Sequence, residues 1–141
     1  MKKIIKIIMI ILTLIYSLFM TSLAGAGLIY NKSGYGEYIA NIGIFLIISG
    51  LLMTVGAVFC LFTKKAINII SLSCSVSGVI ICFIMLYLLC KHADSAGWSD
   101  NYTMLPVSNM YKSRLIPVIF PSAISTFIAI FHIKQNRTSK K

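Results

Sequence analysis

The spacing of the charged residues limits what this chain can fold into more than any other feature. Four long runs lack Asp, Glu, Lys and Arg: 25 residues after Lys6, 26 after Glu37, 25 after Lys65 and 19 after Arg114. A helix that rises about 1.5 Å per residue needs ~20 residues to cross a hydrocarbon core of ~30 Å. The runs therefore predict four transmembrane helices, at about residues 7–30, 39–62, 66–90 and 115–133.

Composition and pattern favour the same fold class. The chain is 58% hydrophobic and only 11% charged, whereas soluble domains carry roughly 25% charged residues. Stretches such as Ile42 to Leu46 are apolar on every side, unlike the alternating strands of a membrane barrel. We expect an all-α, integral membrane four-helix bundle that forms one domain over residues 1–141 and has the lipid bilayer as its surroundings.

The basic residues predict the orientation of this bundle. An even number of spans places both termini on one side, which then holds nine Lys and Arg residues against four on the other. The positive-inside rule makes that side cytoplasmic. Usage rich in Ile, Lys and Asn indicates an AT-rich genome and favours a bacterial plasma membrane. Because topology accounts for the net charge of +10, no nucleic-acid partner is expected.

The first uncharged run has a second interpretation. Three lysines precede an apolar stretch from Ile7 to Met20, and Ala24-Gly25-Ala26 has the pattern of a signal-peptidase site. Cleavage there would leave three spans. The apolar stretch continues to Tyr30 at full spanning length, which favours a retained helix.

Small residues mark the faces by which membrane helices pack, because close backbone contact drives association in lipid. In the second run Gly36, Gly43, Gly50 and Ala57 recur every seven residues, with Ala40 and Thr54 between them. In the third run Ser71, Ser75, Gly78 and Cys82 share one helix face. A short connection makes the two helices antiparallel neighbours, so we expect the two stripes to meet. The predicted packing residues are Gly43, Gly50, Thr54, Ala57, Ser71, Ser75 and Gly78.

The outer helices carry weaker versions of this pattern. The first run has Thr13, Ser17, Thr21 and Ala24, and the fourth has Ser122, Ser125 and Ala129. Pro121 lies far enough into the fourth span to kink it.

Residues 91–114 form the only predicted extramembrane segment large enough to recognise another molecule. Its candidate recognition residues are His92, Asp94, Trp98, Asp100 and Tyr102. Alternatively, the aromatic rings sit at the lipid interface, which such rings prefer. One His-x-Asp pair is too sparse to predict a metal site.

Groups typical of catalysis are missing from the predicted spans, which contain no acidic residue, Lys or Arg. The cysteines, at positions 60, 74, 82 and 90, form no C-x-x-C motif. We therefore expect a non-enzyme without cofactor that acts through helix contacts with itself or another membrane protein, as an accessory, immunity or assembly subunit. The alternative is a small oligomeric transporter or channel, suggested by Ser71, Ser75, Ser122, Ser125, Thr126 and the Pro121 kink.

Overall fold

The computed structural model describes residues 2–97 and 122–134, and all the regular secondary structure in these ranges is helical. In chain order the elements are α1 (Lys2–Ile15), a π-helical segment (Tyr16–Leu23), α2 (Ala24–Tyr30), α3 (Lys32–Tyr35), α4 (Glu37–Phe59), α5 (Lys65–Ser95) and α6 (Ser122–Lys134). The first three elements are continuous and form what we name the first helix, residues 2–30. The prediction of an all-helical chain is confirmed for the described residues.

Three of these helices are long and apolar enough to cross a membrane: Ile10–Tyr30, Glu37–Phe59 and Lys65–Ser95. Even the shortest, with 21 residues, reaches about 32 Å at 1.5 Å per residue. α6 is apolar but has only 13 residues. The rest of the predicted fourth span, including Pro117 and Pro121, lies outside the described residues.

A short connection joins the first helix to α4. It contains the single helical turn α3, followed by Gly36 with φ of +86°. This left-handed conformation favours glycine because a Cβ atom would be strained there. Gly36 therefore serves the turn and does not belong to the packing face of α4.

α5 runs further than predicted. It continues to Ser95, so Lys91, His92 and Asp94 lie on its last turns and not in a loop. The helix ends where Gly97 takes a φ of +66° and its N–H donates to the Asp94 carbonyl at 3.2 Å. A glycine in this conformation is a common helix stop. No residue between Lys91 and Ser95 breaks the helix. The prediction from charge spacing, which ended the helix at residue 90, therefore placed its end too early.

α4 lies at the centre of the bundle and packs against both the first helix and α5. Within its spanning window 44% of the residues are buried, against 29% for the first helix and 22% for α5. Its apolar core residues include Ile39, Ile42 and Leu46. Large side chains such as Phe45 and Leu51 point outward and are half exposed, as expected for helices that face lipid.

Candidate helix-packing site

The first helix and α4 touch backbone to backbone at two glycines. A Cβ atom built on Gly43 would lie 2.6 Å from the carbonyl oxygen of Gly25, and one built on Gly25 would collide with the carbonyl oxygen of Gly43. Real Cβ atoms do not approach backbone oxygen this closely. Only glycine fits at both positions, a feature typical of close crossings between membrane helices.

Gly50 also faces the first helix. A Cβ atom there would lie 2.8 Å from the carbonyl oxygen of Ser17 and 2.5 Å from the Thr21 hydroxyl, and closer still to the Ser22 hydroxyl. The expectation that Gly50 meets α5 is therefore wrong. The face of α4 that carries Gly43 and Gly50 is turned toward the first helix, and a different face meets α5.

Hydroxyl groups link the same two helices. The Ser17 and Thr54 side-chain oxygens are 2.9 Å apart. The Thr54 hydroxyl also lies 2.8 Å from the Gly50 carbonyl oxygen, and the Ser17 hydroxyl lies 3.1 Å from the Leu14 carbonyl oxygen, so one hydroxyl donates to its carbonyl while the other donates across the interface. These bonds satisfy the hydroxyls without water, which a membrane interior demands.

The π-helical segment keeps the small residues of the first helix on α4. Thr13, Ser17, Thr21 and Gly25 are buried and follow one another every four residues. In an α-helix each such step overshoots a full turn by ~40°, so Gly25 would drift roughly 120° from Thr13. The wider turns of a π-helix counter this drift. Gly25 thus takes the place that we expected for Ala24, which is exposed.

Serine hydroxyls and glycine carbonyls form the contact between α4 and α5. Ser71 donates to the Gly56 carbonyl, with 2.6 Å between the oxygens. In the opposite direction, Ser49 donates to the Gly78 carbonyl at 2.8 Å. Each helix thus presents a glycine to a serine of the other.

Neighbouring atoms fill the space beside Gly56 and Gly78. A Cβ atom on Gly78 would lie 2.8 Å from Cγ of Met53, and one on Gly56 would lie 3.0 Å from the Ser71 carbonyl oxygen and closer to the Ser75 hydroxyl. Ser71, Ser75 and Gly78 therefore lie in this interface. Their partners on α4 were not predicted, because Gly56 falls outside the seven-residue repeat.

The remaining predicted residues and α6 lie close to these contacts. Ala57 is fully buried on α4. Ser122, Ser125 and Ala129 are the buried residues of α6, and their spacing places them on one helix face. The Ser122 hydroxyl lies 3.1 Å from the sulfur of Met53, so α6 turns its small face toward α4.

Three buried polar atoms in the described part of the chain have no hydrogen-bond partner: Ser22 Oγ, Asn68 Oδ1 and Ser75 Oγ. Asn68 is fully buried, and its amide nitrogen donates to the Lys64 carbonyl at 3.0 Å. An unsatisfied buried group costs about 1–3 kcal/mol. No sequence pattern singles out Asn68 or Ser22.

The end of the bundle where α4 begins and α5 ends carries part of the predicted recognition cluster. The rings of Tyr38 and His92 lie 5.2 Å apart, and Asp94 is exposed two residues further along. Nearby, the Lys32 ammonium is 2.9 Å from the Glu37 carboxylate, an exposed ion pair of small energetic value. Trp98, Asp100 and Tyr102 lie outside the described residues, so the cluster stays a prediction.

Side chains suited to reaction chemistry are sparse in this arrangement. Cys60 and Cys82 are fully buried, and the Cys60 thiol donates to the Ala57 carbonyl at 2.9 Å. Within residues 2–97 and 122–134 no three His, Cys, Asp or Glu side chains group so as to hold a metal ion. No protein-family model matches the chain, and neither a curated protein nor a solved structure shows similarity to it. Function must therefore be inferred from the packing contacts of the chain itself.

Proposed function

We propose that this chain is a four-helix membrane protein that acts by binding a transmembrane helix, either of a partner subunit or of a second copy, without catalysis. The observation that carries the proposal is a second set of small residues on the first helix. Ala24, Ala26 and Gly27 are exposed, and nothing lies within 4 Å of a Cβ atom built on Gly27. The close backbone contact with α4 is made at Gly25, which lies between them.

A groove next to these residues provides the matching shape. It has a volume of about 390 Å³ and lies between the first helix and α4. Its lining residues are Leu18, Phe19, Ser22, Leu23, Ala26 and Ile47. Small residues let a partner backbone approach closely, and the groove accepts a large apolar side chain from that partner.

Substitution of Gly27 by leucine tests this proposal. The monomer has space for the new side chain, whereas a docked helix would be pushed away. We expect Gly27→Leu to lose the oligomer, or the membrane protein that co-purifies with the wild type in mild detergent. Ser73→Leu on α5, also at an exposed small residue, is the matched control and should keep it. An unchanged complex in Gly27→Leu contradicts the proposal.

The proposal includes a retained first helix and cytoplasmic termini. Cleavage after Ala26 would remove the residues that cover Gly43 and Gly50. Intact mass should therefore include residues 1–26. A cysteine at Ser95 should react with an impermeant thiol reagent in intact cells, whereas one at Ser139 should not. A mature terminus near Gly27, or labelling at Ser139, refutes this topology.

A transporter or channel is the second candidate. The unpartnered Asn68 and Ser75 atoms and the many buried hydroxyls favour it. The glycine contacts, however, bring α4 into close contact with the first helix and with α5, which favours a pore between copies over one inside the single bundle. Solute flux into proteoliposomes that disappears in Asn68→Leu would favour this candidate over helix binding alone.

A further inference from the structure

Basic residues gather at the end of the bundle where α4 leads into α5. Lys64 closes the turn, Lys65 begins α5, and both side chains are exposed. The two acidic residues that the structure describes, Glu37 at the start of α4 and Asp94 near the end of α5, belong to the opposite end. Along α5 alone, Asp94 is 29 residues from Lys65, or about 44 Å. Within residues 2–97 and 122–134, no carboxylate side chain is therefore near enough to neutralise the two lysines.

The packing of the first helix against α4 brings the start of the first helix to the level of Lys64 and Lys65 along the bundle axis. Ser17 lies opposite Thr54 and Thr21 opposite Gly50, so the two helices run antiparallel. Extending this register places the end of α4, at Phe59, opposite position 12. Lys6 lies six residues beyond it, about 9 Å further along the axis. This is the level of the turn that carries Lys64 and Lys65, and Lys2 and Lys3 follow one turn later.

α6 contributes a further cation in the proposed four-span topology, on which this step rests. Its first residue lies against Met53, which is six residues, or about 9 Å, from the end of α4. A parallel course over 13 residues, about 18 Å, carries its last residue past that end. That residue is Lys134, which is exposed.

We infer that this basic cluster, comprising Lys64, Lys65 and Lys134, binds the phosphate groups of anionic phospholipids. The lysines lie just beyond the apolar spans, at the depth of lipid headgroups, and they share one end of the bundle. In a basic cluster at this depth, each Lys or Arg raises the affinity for anionic lipid about fivefold. Charge complementarity thus selects anionic over zwitterionic lipid.

Lipid titration of the purified full-length chain in mild detergent tests the inference. Binding is measured by thermal stabilisation with phosphatidylglycerol, phosphatidylcholine or inorganic phosphate. The wild type should prefer phosphatidylglycerol. The double variant Lys64→Gln/Lys65→Gln should bind it about 30-fold more weakly, and Lys64→Arg/Lys65→Arg should bind like the wild type. Lys32→Gln/Lys91→Gln, with the same charge change at the other end, is the matched control and should not differ from the wild type.

Three results would overturn the inference: equal binding by the glutamine double variant, an equal loss in the control, or equally tight binding of phosphatidylcholine or inorganic phosphate by the wild type. Failure of the membrane proposal itself looks different. In that case alkaline carbonate would extract every variant from membranes, whereas failure of the lipid inference alone leaves all variants in the membrane fraction.

Discussion

Two glycines of α2, two positions apart, provide a sharp test of the contact between the first helix and α4. Gly25 touches the backbone of α4, whereas Gly27 has nothing within 4 Å of a Cβ atom built on it. Alanine at either position gains the same helix propensity over glycine, about 0.8–1.0 kcal/mol. The difference in the free energy of unfolding between Gly25→Ala and Gly27→Ala therefore measures the cost of fitting a methyl group between the first helix and α4.

The magnitude follows from the atoms that the new methyl group meets. At Gly25 it would collide with the Gly43 carbonyl oxygen and lie 3.1 Å from the backbone nitrogen of Ile47. Backbone atoms cannot rotate away as side chains do, so the two helices must separate. Overpacking of this kind costs about 1–3 kcal/mol. We expect Gly27→Ala to be up to about 1 kcal/mol more stable than the wild type, and Gly25→Ala to be about 1–3 kcal/mol less stable than Gly27→Ala.

Equilibrium unfolding with sodium dodecyl sulfate in mild detergent, followed by helical circular dichroism, measures both free energies. The double variant Gly25→Ala/Gly43→Ala adds a second check. Once the first methyl group has separated the helices, the second should cost less stability than it does alone, because the stability effects of substitutions at contacting residues are not additive. Equal stability of Gly25→Ala and Gly27→Ala would show that the first helix does not cross α4 at Gly25.

Two further substitutions test the neighbouring contacts. Gly50→Leu should lower the free energy of unfolding by about 1–3 kcal/mol, because the new side chain would meet the first helix. The control, the volume-conserving Leu51→Ile on the exposed face, should change this free energy by much less. Equal thermal aggregation of both variants would contradict the prediction. Ser71→Ala should cost about 0.6 kcal/mol, the average for a hydrogen bond between membrane helices, because its bond to the Gly56 carbonyl is lost. Ser73→Ala, at an exposed position, should cost nothing measurable in the same unfolding assay, and an equal loss in both serine variants would argue against that bond.

Charge spacing predicted the helices well and their ends less well. The three long apolar helices lie where the uncharged runs place them, since lipid excludes charge from a spanning segment. α5, however, continues past Lys91 to Ser95. Beyond the hydrocarbon core water satisfies a helix and a loop alike, so charge does not end the helix. Gly97 does, through its left-handed conformation.

The packing faces were only partly predictable. A repeat of small residues identifies a helix face but not the neighbour that it meets. α4 has small residues on two faces, one with Gly43 and Gly50 and another with Ser49 and Gly56. Only the regular repeat was visible in the sequence, and it was paired with the nearest helix in the chain. The π-helical segment had no sequence signal of its own, because it depends on the fit of the first helix to α4.

The interior of this bundle explains why small residues carry most of its specificity. Almost as many polar as apolar residues are buried in the described helices, and the largest apolar side chains face outward. In the proposed membrane setting the outward side chains gain nothing from burial, because helices in lipid associate through close backbone contact and hydrogen bonds. Every glycine of α4's spanning segment is already in contact with a neighbouring helix. The exposed Gly27 on the first helix has no such contact, and this is why we propose that a partner helix docks there and not on α4.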